Sequence, residues 1–367
     1  MKLSEETRPQ IYPLVTVDGF IAIDLPDAPT SGGGTRLAPD VSEVEASLLA
    51  RAMSYKLAVV GLRVGGAKIV LRAHPQERAA VLERFRREIA PWLASGRLMT
   101  GPDLGTNEAD FAGLPTPGGD DGITVGRQIE GMPAEQYMTG YAAAAAIGAA
   151  LRSSVGADLH GTRIALEGFG KIGTAVALQV AARGGKVVAV STLEGCVVNP
   201  SGLAVHTLLD AREQYGDSFI HHVGGSVGSR ELLWGVEAEV VVPGARPGIL
   251  NAQRAARLAA RHVVPVANAP YTQRGLAVLH DRGIAAHADF LVSAGGAMAY
   301  LHPDVSRAAS SDAALSALDR LMCERIAEAA DCPDGPYSGA VRLAQAFLAS
   351  WRRAEQPLPA PPLAKED

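Results

Sequence analysis

Two lysines stand twelve residues apart in the stretch MSYKLAVVGLRVGGAK (53–68), which consists largely of small and apolar residues. Charged side chains are seldom buried unless a partner or a reaction requires them there. Burial and a neighbouring ammonium both lower the pKa of a lysine, which lets the amine act as a base near neutral pH. Lys56 and Lys68 are therefore candidate site residues. The alternative is that both side chains extend to the surface, as most lysines do.

The helix that carries Lys56 is predicted from a capping-box pattern. DVSE (40–43) places Asp40 at the N-cap and Glu43 three residues on. The next apolar residues at four-residue steps are followed by Lys56, so we expect this lysine on the buried stripe. The residues of that stripe are Val44, Leu48 and Ala52. A second helix is predicted after Pro75, with an apolar face made of Leu82, Phe85, Ile89 and Leu93.

The second half of the chain alternates strands and helices. A long helix is predicted over 133–152, after which short apolar strands alternate with helical stretches. This pattern indicates a parallel sheet covered by helices on both faces. The predicted strands are 163–167, 186–190, 218–222, 238–242, 262–266 and 283–287.

A glycine-rich loop joins the first of these strands to a helix. Its sequence GFGKIG has the G-x-G-x-x-G spacing, with Gly168, Gly170 and Gly173. In that context the first glycine permits a tight turn, and the second lets a pyrophosphate approach the backbone. The third allows close packing of the helix on the strand. The loop therefore predicts a dinucleotide site at a helix N-terminus.

The choice between NAD and NADP stays open. An acidic residue that holds the ribose hydroxyls of NAD is usual at the end of the next strand. Here that strand ends in AVSTLEG, with Ser191 and Thr192 at the usual position and Glu194 two residues later. A neutral strand end tolerates a 2′-phosphate, whereas Glu194 would favour NAD. We lean slightly towards NAD.

Composition excludes several other classes of protein. The 367 residues are 47% apolar with a net charge of −5, so neither nucleic acid nor a membrane is an expected partner. The three cysteines form no C-x-x-C pair, and the nine histidines show no metal-ligand spacing, so we expect no metal. The N-terminal residues lack the apolar core of a signal peptide, and a cytoplasmic location is expected.

Several local motifs belong together. In the first half they are SGGGTRL (31–37), MSYK (53–56), GLRVGGAK (61–68) and TGPDLGTNEADF (100–111). In the second half they are MTGYAAA (138–144), EGFGKIGTAVA (167–177), VPGARPGILN (242–251), VANAPYT (266–272) and SAGGAMAY (293–300). In order and spacing these motifs resemble the Glu/Leu/Phe/Val dehydrogenases, the amino-acid dehydrogenase family, over about residues 15–300. The chain is closest in size to the leucine, phenylalanine and valine members.

The resemblance implies a role for each matching residue. Lys68 and Asp103 match the catalytic pair, and Lys56 matches the lysine that binds the substrate α-carboxylate. Gly33, Gly34 and Ser293 match positions that line the substrate site. The positions that match the cofactor site are Thr139, Gly168, Phe169, Gly170, Lys171, Ile172, Gly173, Thr192, Ala245 and Asn268. Asp103 could instead cap the helix that follows, although Thr106 is better placed to do so.

Two positions depart from the family pattern. Glutamate enzymes of the family place a lysine just before the glycine pair to hold the side-chain carboxylate, and this chain has Gly32 there. An acidic substrate would lose its partner, so a non-acidic substrate is favoured. Arg63 could supply a cation only if it turned inward; a solvent-facing side chain is expected. Ser293 stands where the family usually has Asn, and its side chain is shorter, which allows an unusual amino acid.

The resemblance implies an α/β protein with two domains and an NAD(P)-dependent oxidoreductase that reversibly deaminates an L-amino acid to a 2-oxo acid and ammonia. The alternatives are a biosynthetic member with an unusual substrate and a non-catalytic nucleotide or amino-acid sensor. A homo-oligomer is expected on the same basis. We expect residues 1–138 to form the substrate domain and 139–307 a doubly wound Rossmann-type domain. We expect residues 308–354 to form a helical segment that returns to the first domain, and residues 355–367 to form a disordered tail.

Overall fold

The computed structural model describes residues 8–115, 128–352 and 358–364. The chain divides into two compact units, and each is described separately. The first unit comprises Met1–Arg127, Tyr300–Ala309 and Val341–Pro362, and the second comprises Gln128–Ala299, Ser310–Ala340 and Leu363–Asp367. The predicted boundary after residue 138 therefore lies beyond the observed division. Of the segment predicted as 308–354, residues 310–340 belong to the second unit and 341–352 to the first.

The first unit contains a five-stranded mixed sheet with two helices. Its strands are β1 (Gln10–Pro13), β2 (Gly19–Ile23), β3 (Ser31–Leu37), β4 (Gly65–Leu71) and β5 (Leu98–Pro102), and its helices are α1 (Glu43–Val59) and α2 (Arg78–Ala94). The strand order is β1-β2-β4-β3-β5, in which β3 is parallel to β4 and to β5. The predicted apolar face of α2 is confirmed, because its four residues are all buried.

Helix α1 begins two residues later than predicted and buries a different face. Its N-cap is Ser42, whose hydroxyl accepts a hydrogen bond from the Glu45 N–H at 3.1 Å. Val44, on the predicted stripe, is 66% exposed. The buried residues include small ones, among them Ala46, Ala50 and Ser54, and also the larger Arg51, Tyr55 and Leu57. The reason is close packing on β4, since a Cβ atom on Gly66 would lie 1.9 Å from the Ala50 carbonyl oxygen.

The second unit is built around a seven-stranded sheet. In chain order its elements are β6 (Gln128–Ile129), β7 (Met132–Pro133), α3 (Ala134–Val155), β8 (Arg163–Glu167), α4 (Lys171–Ala182), β9 (Lys186–Thr192), β10 (Gly195–Val198), α5 (Val205–Tyr215), β11 (Ser226–Gly228), β12 (Val240–Pro243), α6 (Ala252–Arg257), β13 (His262–Val263), α7 (Gln273–Asp281), β14 (Ala285–Ala286) and α8 (Asp289–Val292). Of the remaining helices, α11 (Ser311–Ala330) belongs to the second unit and α10 (Pro303–Ser306) to the first, whereas α9 (Gly295–Leu301) and α12 (Gly335–Ala349) each begin in the second unit and end in the first. Short 3-10 helices span Pro75–Glu77, Glu108–Phe111, Gly216–His221 and Arg230–Gly235.

The strand order β11-β10-β9-β8-β12-β13-β14 identifies a Rossmann-type sheet. Strand β8 pairs in parallel with β9 on one side and β12 on the other, so the direction of winding reverses at β8. Ligands of such sheets bind outside the carboxyl ends of the strands at this reversal. The fold is therefore α/β, with a doubly wound second unit.

Two sequence predictions in this unit are wrong. Most of the predicted strand 218–222 lies in the 3-10 helix Gly216–His221. Phe219 and Ile220 are buried there, but this helix is not a strand of the sheet. An apolar run of this length is compatible with either element. Strands β10 and β11 were not predicted; they form an antiparallel edge next to β9.

Part of the predicted disordered tail has a fixed place. Leu358 is buried, and the Ala364 N–H donates a hydrogen bond to the Tyr271 carbonyl at 2.9 Å. Of the predicted tail 355–367, only residues 358–364 belong to the described structure. Over the described part of the chain, none of the helices is both long and apolar enough to cross a bilayer.

Candidate active site

A buried ion pair lies at the centre of the first unit. Lys68 is on β4 and is only 5% exposed, and its Nζ donates to Asp103 Oδ2 at 2.5 Å. Asp103 follows the end of β5, which pairs with β3 on the opposite side from β4. Its N–H donates to Thr106 Oγ1 at 2.9 Å. The hydroxyl of Thr106 lies 2.8 Å from the Thr35 carbonyl, so Thr106 fixes the Asp103 loop instead of capping the following helix.

Arg36 is a second cation on Asp103 that the sequence analysis did not identify. Its Nε donates to Asp103 Oδ2 at 2.8 Å, and its Nη1 donates to Glu45 at 2.7 Å. Arg36 lies on β3 within the quoted motif SGGGTRL. The motif gave its position, but only the pairing of β3 with β5 brings it to Asp103.

Burial and neighbouring charges shift the pKa values of both members of the pair. Burial lowers the pKa of Lys68 most, against the opposing effect of Asp103, and the charges of Arg36 and Lys56 lower it further. Burial opposes ionisation of Asp103, but Lys68 and Arg36 outweigh it and hold the pKa of this carboxyl well below its usual range. Asp103 is thus ionised, and Lys68 loses its proton more readily than an exposed lysine does.

Lys56 is half-buried on α1 and acts on Lys68 through its charge. The prediction that Lys56 contributes to the lowered pKa of Lys68 is therefore supported. Its predicted place on the buried stripe of α1 is not observed, because Lys56 is half-buried while its neighbours Tyr55 and Leu57 are buried.

The glycines of β3 leave space beside this pair. A Cβ atom on Gly34 would lie 2.9 Å from the Asp103 Cβ and 3.6 Å from Lys68 Nζ. A Cβ on Gly33 would collide with the Ala67 carbonyl oxygen at 1.7 Å. Neither position therefore accepts a side chain without displacing the catalytic candidates or β4.

Gly32 adjoins an apolar niche. A Cβ atom placed there would have ordinary contacts at 3.4 Å with Val64, 3.6 Å with Met99 and 3.8 Å with Leu301. The side chain of Arg63 is exposed, as expected.

In the second unit, the loop after β8 has the geometry of a phosphate cradle. Gly168 has φ +89°, in the left-handed region, and a Cβ on Gly173 would lie 2.3 Å from the Gly168 carbonyl oxygen. Gly170 is the N-cap of α4, and beyond its chain neighbours and its own helix none of the described residues comes within 4 Å of the space its Cβ would occupy. The backbone is thus exposed where a pyrophosphate would approach.

The flanking residues of this loop are arranged consistently with that geometry. Phe169 is buried against Phe219, with the ring centroids 5.2 Å apart, while Lys171 is exposed and Ile172 half-buried. Glu167, another residue that the sequence analysis missed, accepts hydrogen bonds from the N–H groups of Gly244 and Ala245 at 3.0 and 2.8 Å. Burial raises the pKa of Glu167 despite these two donors. The exposed Ala245 is thereby held beside Gly168.

At the end of β9, the Thr192 side chain forms its hydrogen bonds within the protein. Its hydroxyl donates to the Asp217 carbonyl at 2.9 Å and lies 3.2 Å from the Glu194 N–H. Thr192 is buried, whereas Glu194 lies on the exposed turn between β9 and β10. The turn consists of Leu193 and Glu194, so it contains one carboxylate and no basic residue.

Three further predicted residues belong to the second unit. Thr139 on α3 donates to the Glu135 carbonyl at 2.8 Å, and Ser293 donates to the Asp289 carbonyl at 2.7 Å. Asn268 is exposed, and Ala269 after it has φ +45°. A non-glycine residue in this region is strained, and such strain is concentrated at functional sites. The Asp289 carboxylate holds this backbone by accepting from the Ala269 N–H at 2.8 Å.

Among the described residues, no group of three or more His, Cys, Asp or Glu side chains could hold a metal ion.

Two family profiles match the chain. Residues 131–329 match the Glutamate/Leucine/Phenylalanine/Valine dehydrogenase profile, and residues 15–115 match the Glu/Leu/Phe/Val dehydrogenase dimerisation domain. The first match alone covers more than half of the chain. The protein therefore belongs to the Glu/Leu/Phe/Val dehydrogenase family.

Curated relatives include glutamate dehydrogenases. The enzyme of Thermotoga maritima is 32% identical over 278 residues, which are 72% of this chain and 66% of that protein. Glutamate dehydrogenase A2 of Halobacterium salinarum is 29% identical over 276 residues, with the same coverage of both chains. The chain thus spans slightly less than two thirds of the length of these relatives.

Solved structures share the fold. A hetero-hexameric glutamate dehydrogenase from Thermus thermophilus, in a leucine-bound form, has a TM-score of 0.77 and 27% identity, covering 94% of this chain and 88% of its own. L-tryptophan dehydrogenase from Nostoc punctiforme has a TM-score of 0.68 and 20% identity, covering 95% and 98%. At the latter identity the likeness concerns the fold alone.

Proposed function

We propose that this protein is an NAD(P)-dependent L-amino-acid dehydrogenase that reversibly converts a non-acidic amino acid to its 2-oxo acid and ammonia. The observation that carries the proposal is the buried Lys68–Asp103 pair, with the pKa of Lys68 lowered by burial and by two neighbouring cations. Lysine chemistry of this kind, in a member of this family, is suited to oxidative deamination.

The proposed reaction assigns one task to each charged group. When bound, a nicotinamide dinucleotide would serve as the acceptor for the hydride of the substrate Cα. Lys56 binds the α-carboxylate as a fixed cation. Neutral Lys68 takes a proton from the water whose oxygen bonds to the iminium carbon, and the resulting ammonium stabilises the carbinolamine. Asp103 exchanges a proton with the amino group before the C–N bond breaks and ammonia leaves.

The two proton transfers are coupled through the ion pair. When Lys68 loses its proton, one of the two cations that hold the Asp103 pKa down is removed, so that pKa moves back towards its usual range. Asp103 then accepts a proton more readily. Arg36 remains as the permanent cation that keeps the carboxylate in place.

The non-acidic substrate follows from the niche at Gly32. Its neighbours Val64, Met99 and Leu301 are apolar, and no lysine occupies position 32. Placing a carboxylate there without a partner costs roughly 1–3 kcal/mol or more. An aliphatic or aromatic side chain gains free energy from the same surface.

We further propose NAD as the slightly favoured cofactor, because the exposed turn after β9 holds Glu194 and no basic residue. Lys171, Ile172 and Thr192 would border the dinucleotide through their positions on α4 and β9, and Thr139 and Asn268 would lie near the nicotinamide. A homo-oligomer is proposed on the basis of family membership; the hetero-hexameric relative from Thermus thermophilus supports assembly into an oligomer but not identical subunits.

The test is an assay of NADH and NADPH oxidation with ammonia and a panel of 2-oxo acids. We expect turnover with at least one apolar 2-oxo acid and at least about tenfold lower kcat/KM for 2-oxoglutarate, the acidic member, which corresponds to about 1.4 kcal/mol. Lys68→Ala and Asp103→Asn should each lower kcat by about 100-fold or more. Tight dinucleotide binding without turnover of any 2-oxo acid would instead support the sensor alternative.

A further inference from the structure

The C-terminal residues 358–362 lie against the helix that carries Lys56. Leu358 is 8% exposed, and its carbonyl oxygen lies 3.1 Å from the hydroxyl of Tyr55. The Pro359 carbonyl lies 3.0 Å from the same hydroxyl. These contacts are within the first unit. They order a proline-rich segment whose composition alone would predict disorder. We call residues 358–362 the C-terminal clamp.

A second side chain ties the clamp to Tyr55. Gln345, on α12, donates from Nε2 to the Tyr55 hydroxyl at 3.0 Å and to the Leu358 carbonyl at 3.1 Å. The side chain of Tyr55 is completely buried, so its hydroxyl has been removed from water. Burial accordingly raises the pKa of Tyr55 to about 12. A buried hydroxyl with these partners stabilises one position of the ring, because each alternative leaves polar groups unpaired.

Tyr55 lies between two residues with other tasks on α1. Ser54 accepts a hydrogen bond from the Gly66 N–H at 2.8 Å, which joins α1 to β4. Lys56 is the next residue on the other side. Helix α1 is therefore held by β4, the strand that carries Lys68, and independently by the clamp through Tyr55.

The orientation of α1 about its axis determines where the Lys56 ammonium lies. A long side chain magnifies any rotation of the helix that carries it, and a displacement of about 1 Å in a group that positions substrate can cost about 100-fold in rate. The contact with β4 through small residues fixes the distance between helix and strand. The clamp restricts rotation of the helix by its hydrogen bonds with Tyr55, the residue next to Lys56.

We propose that the C-terminal clamp, acting through Tyr55 and Gln345, positions Lys56 to receive the α-carboxylate of the substrate. Tyr55 is thus a positioning residue. The inference relies on the proposed function in its assignment of the carboxylate to Lys56.

The experiment uses the full chain, its Tyr55→Phe variant and its Gln345→Leu variant, which removes the side chain that ties the clamp to Tyr55. Tyr55→Phe keeps the ring and removes only the hydroxyl. The apparent KM for the best 2-oxo acid of the panel should rise at least fivefold in both variants, with the Kd for NADH within twofold of the parent value. Tyr12→Phe is the matched control, since Tyr12 lies in the same unit and its hydroxyl donates to Gln10 at an exposed site.

A second measurement does not depend on turnover. The rate at which Lys56 is acylated by an N-hydroxysuccinimide ester, followed by mass spectrometry, should change at least threefold in both clamp variants. The rate for the exposed Lys186 should not change. Thermal unfolding of each variant separates this effect from general loss of stability.

The outcomes distinguish the inference from the proposed function. Unchanged Lys56 labelling in the clamp variants overturns the inference whether or not the protein is active. An unchanged KM in an active enzyme overturns it as well, even if the melting temperature falls. Absence of turnover by the parent protein, with Lys56 labelling altered in the variants, rejects the proposed function and leaves the positioning of Lys56 by the clamp established.

Discussion

At the scale of single residues, the carboxylate of Asp103 lies between two cations that have different tasks. Lys68 must lose its proton if it is to act as a base, whereas Arg36 remains charged throughout. The two groups share the same oxygen, Asp103 Oδ2, at 2.5 and 2.8 Å. Arg36 therefore orients the carboxylate and, as a like charge, also lowers the pKa of Lys68.

Replacing Arg36 with glutamine should shift the pH dependence of deamination to higher pH. Removal of a like charge stabilises the Lys68 ammonium, so its pKa rises and a smaller fraction is neutral at a given pH. We expect the acidic limb of the kcat/KM profile to move up by about 0.5–1 pH unit. The measurement is kcat/KM for the amino acid between pH 6 and 10.5.

Arg63→Gln serves as the control for Arg36→Gln, because Arg63 is an exposed arginine of the same unit. Its profile should coincide with that of the parent protein. A limb that stays in place or moves to lower pH in Arg36→Gln would show that Arg36 does not act on the base through its charge.

Sequence reasoning predicted some of this site and missed the rest for a physical reason. Lys56 and Lys68 are conspicuous because charges rarely occur in apolar stretches, and Asp103 follows in a recognisable motif. Arg36 stands in an ordinary strand sequence, and only the register of β3 against β5 brings it to Asp103. Residues that depend on non-local strand pairing cannot be read from spacing.

At the scale of elements, the junction of β8 and α4 shows two different uses of glycine. Gly173 permits contact between backbone segments, since a Cβ there would lie 2.3 Å from the Gly168 carbonyl. Gly170 has no such neighbour within 4 Å among the residues that the structure describes, and its φ of −78° is accessible to any residue. One glycine is required by the fold, and the other leaves space for a ligand.

Two alanine substitutions should separate these uses. Gly170→Ala should fold with a melting temperature close to that of the parent and weaken NADH binding at least tenfold, because its methyl group occupies the approach to the backbone. Gly173→Ala should lower the melting temperature without ligand, since backbone must move to accept the Cβ. The measurements are thermal unfolding of the apo protein and fluorescence titration with NADH and NADPH.

Each alanine variant is the reference for the other. Equal losses of stability would contradict the distinction, as would Gly170→Ala with parental affinity for both dinucleotides. The latter result would mean that the pyrophosphate does not approach the backbone at the N-terminus of α4.

Prediction of the buried face succeeded for α2 and failed for α1, where close backbone contact with β4 takes part in selecting it. The face of α2 was predicted correctly from Leu82, Phe85, Ile89 and Leu93. On α1, hydrophobicity pointed to the stripe that begins at Val44, but contact with glycines of β4 selects the alanines instead. The rule that larger apolar residues are buried does not account for such close backbone contact.

At the scale of the whole molecule, the chain passes between the two units more than once. The first unit includes Tyr300–Ala309 and Val341–Pro362 in addition to the N-terminal residues. The family resemblance led us to expect one return, that of 308–354, whereas 310–340 belong to the second unit. The additional crossings lie in helical and proline-rich sequence, in which no change of composition marks a boundary.

The stability of the molecule should depend on pH through a buried histidine pair in the second unit. His262 Nε2 lies 2.9 Å from the Ser154 hydroxyl, and its Nδ1 lies 3.4 Å from His287 Nε2. Burial, reinforced by His262, lowers the pKa of His287 to about 3. The pKa of His262 is lowered by burial and then by Arg261. Both rings are therefore neutral in the folded protein near neutral pH.

The sign of the pH effect follows from these lowered values. Below pH 6.5 the unfolded chain protonates His287, while the folded chain does not do so until the pH approaches about 3. Folding stability should therefore be complete above pH 6.5 and fall as the pH decreases towards 3. At pH 5 the loss from His287 alone is about 2 kcal/mol, because each pH unit corresponds to about 1.36 kcal/mol.

Urea unfolding at pH 8 and pH 5 tests this dependence in the parent protein and in two variants. His287→Leu should lose about 2 kcal/mol less between the two pH values than the parent, since the titrating ring is absent. His206→Gln, which removes an exposed histidine of the same unit, should keep the parental difference. If all three proteins lose the same free energy, the acid sensitivity must come from carboxylates, and the buried pair does not control it. A larger loss in His287→Leu would reverse the sign and show that the ring is charged in the folded state.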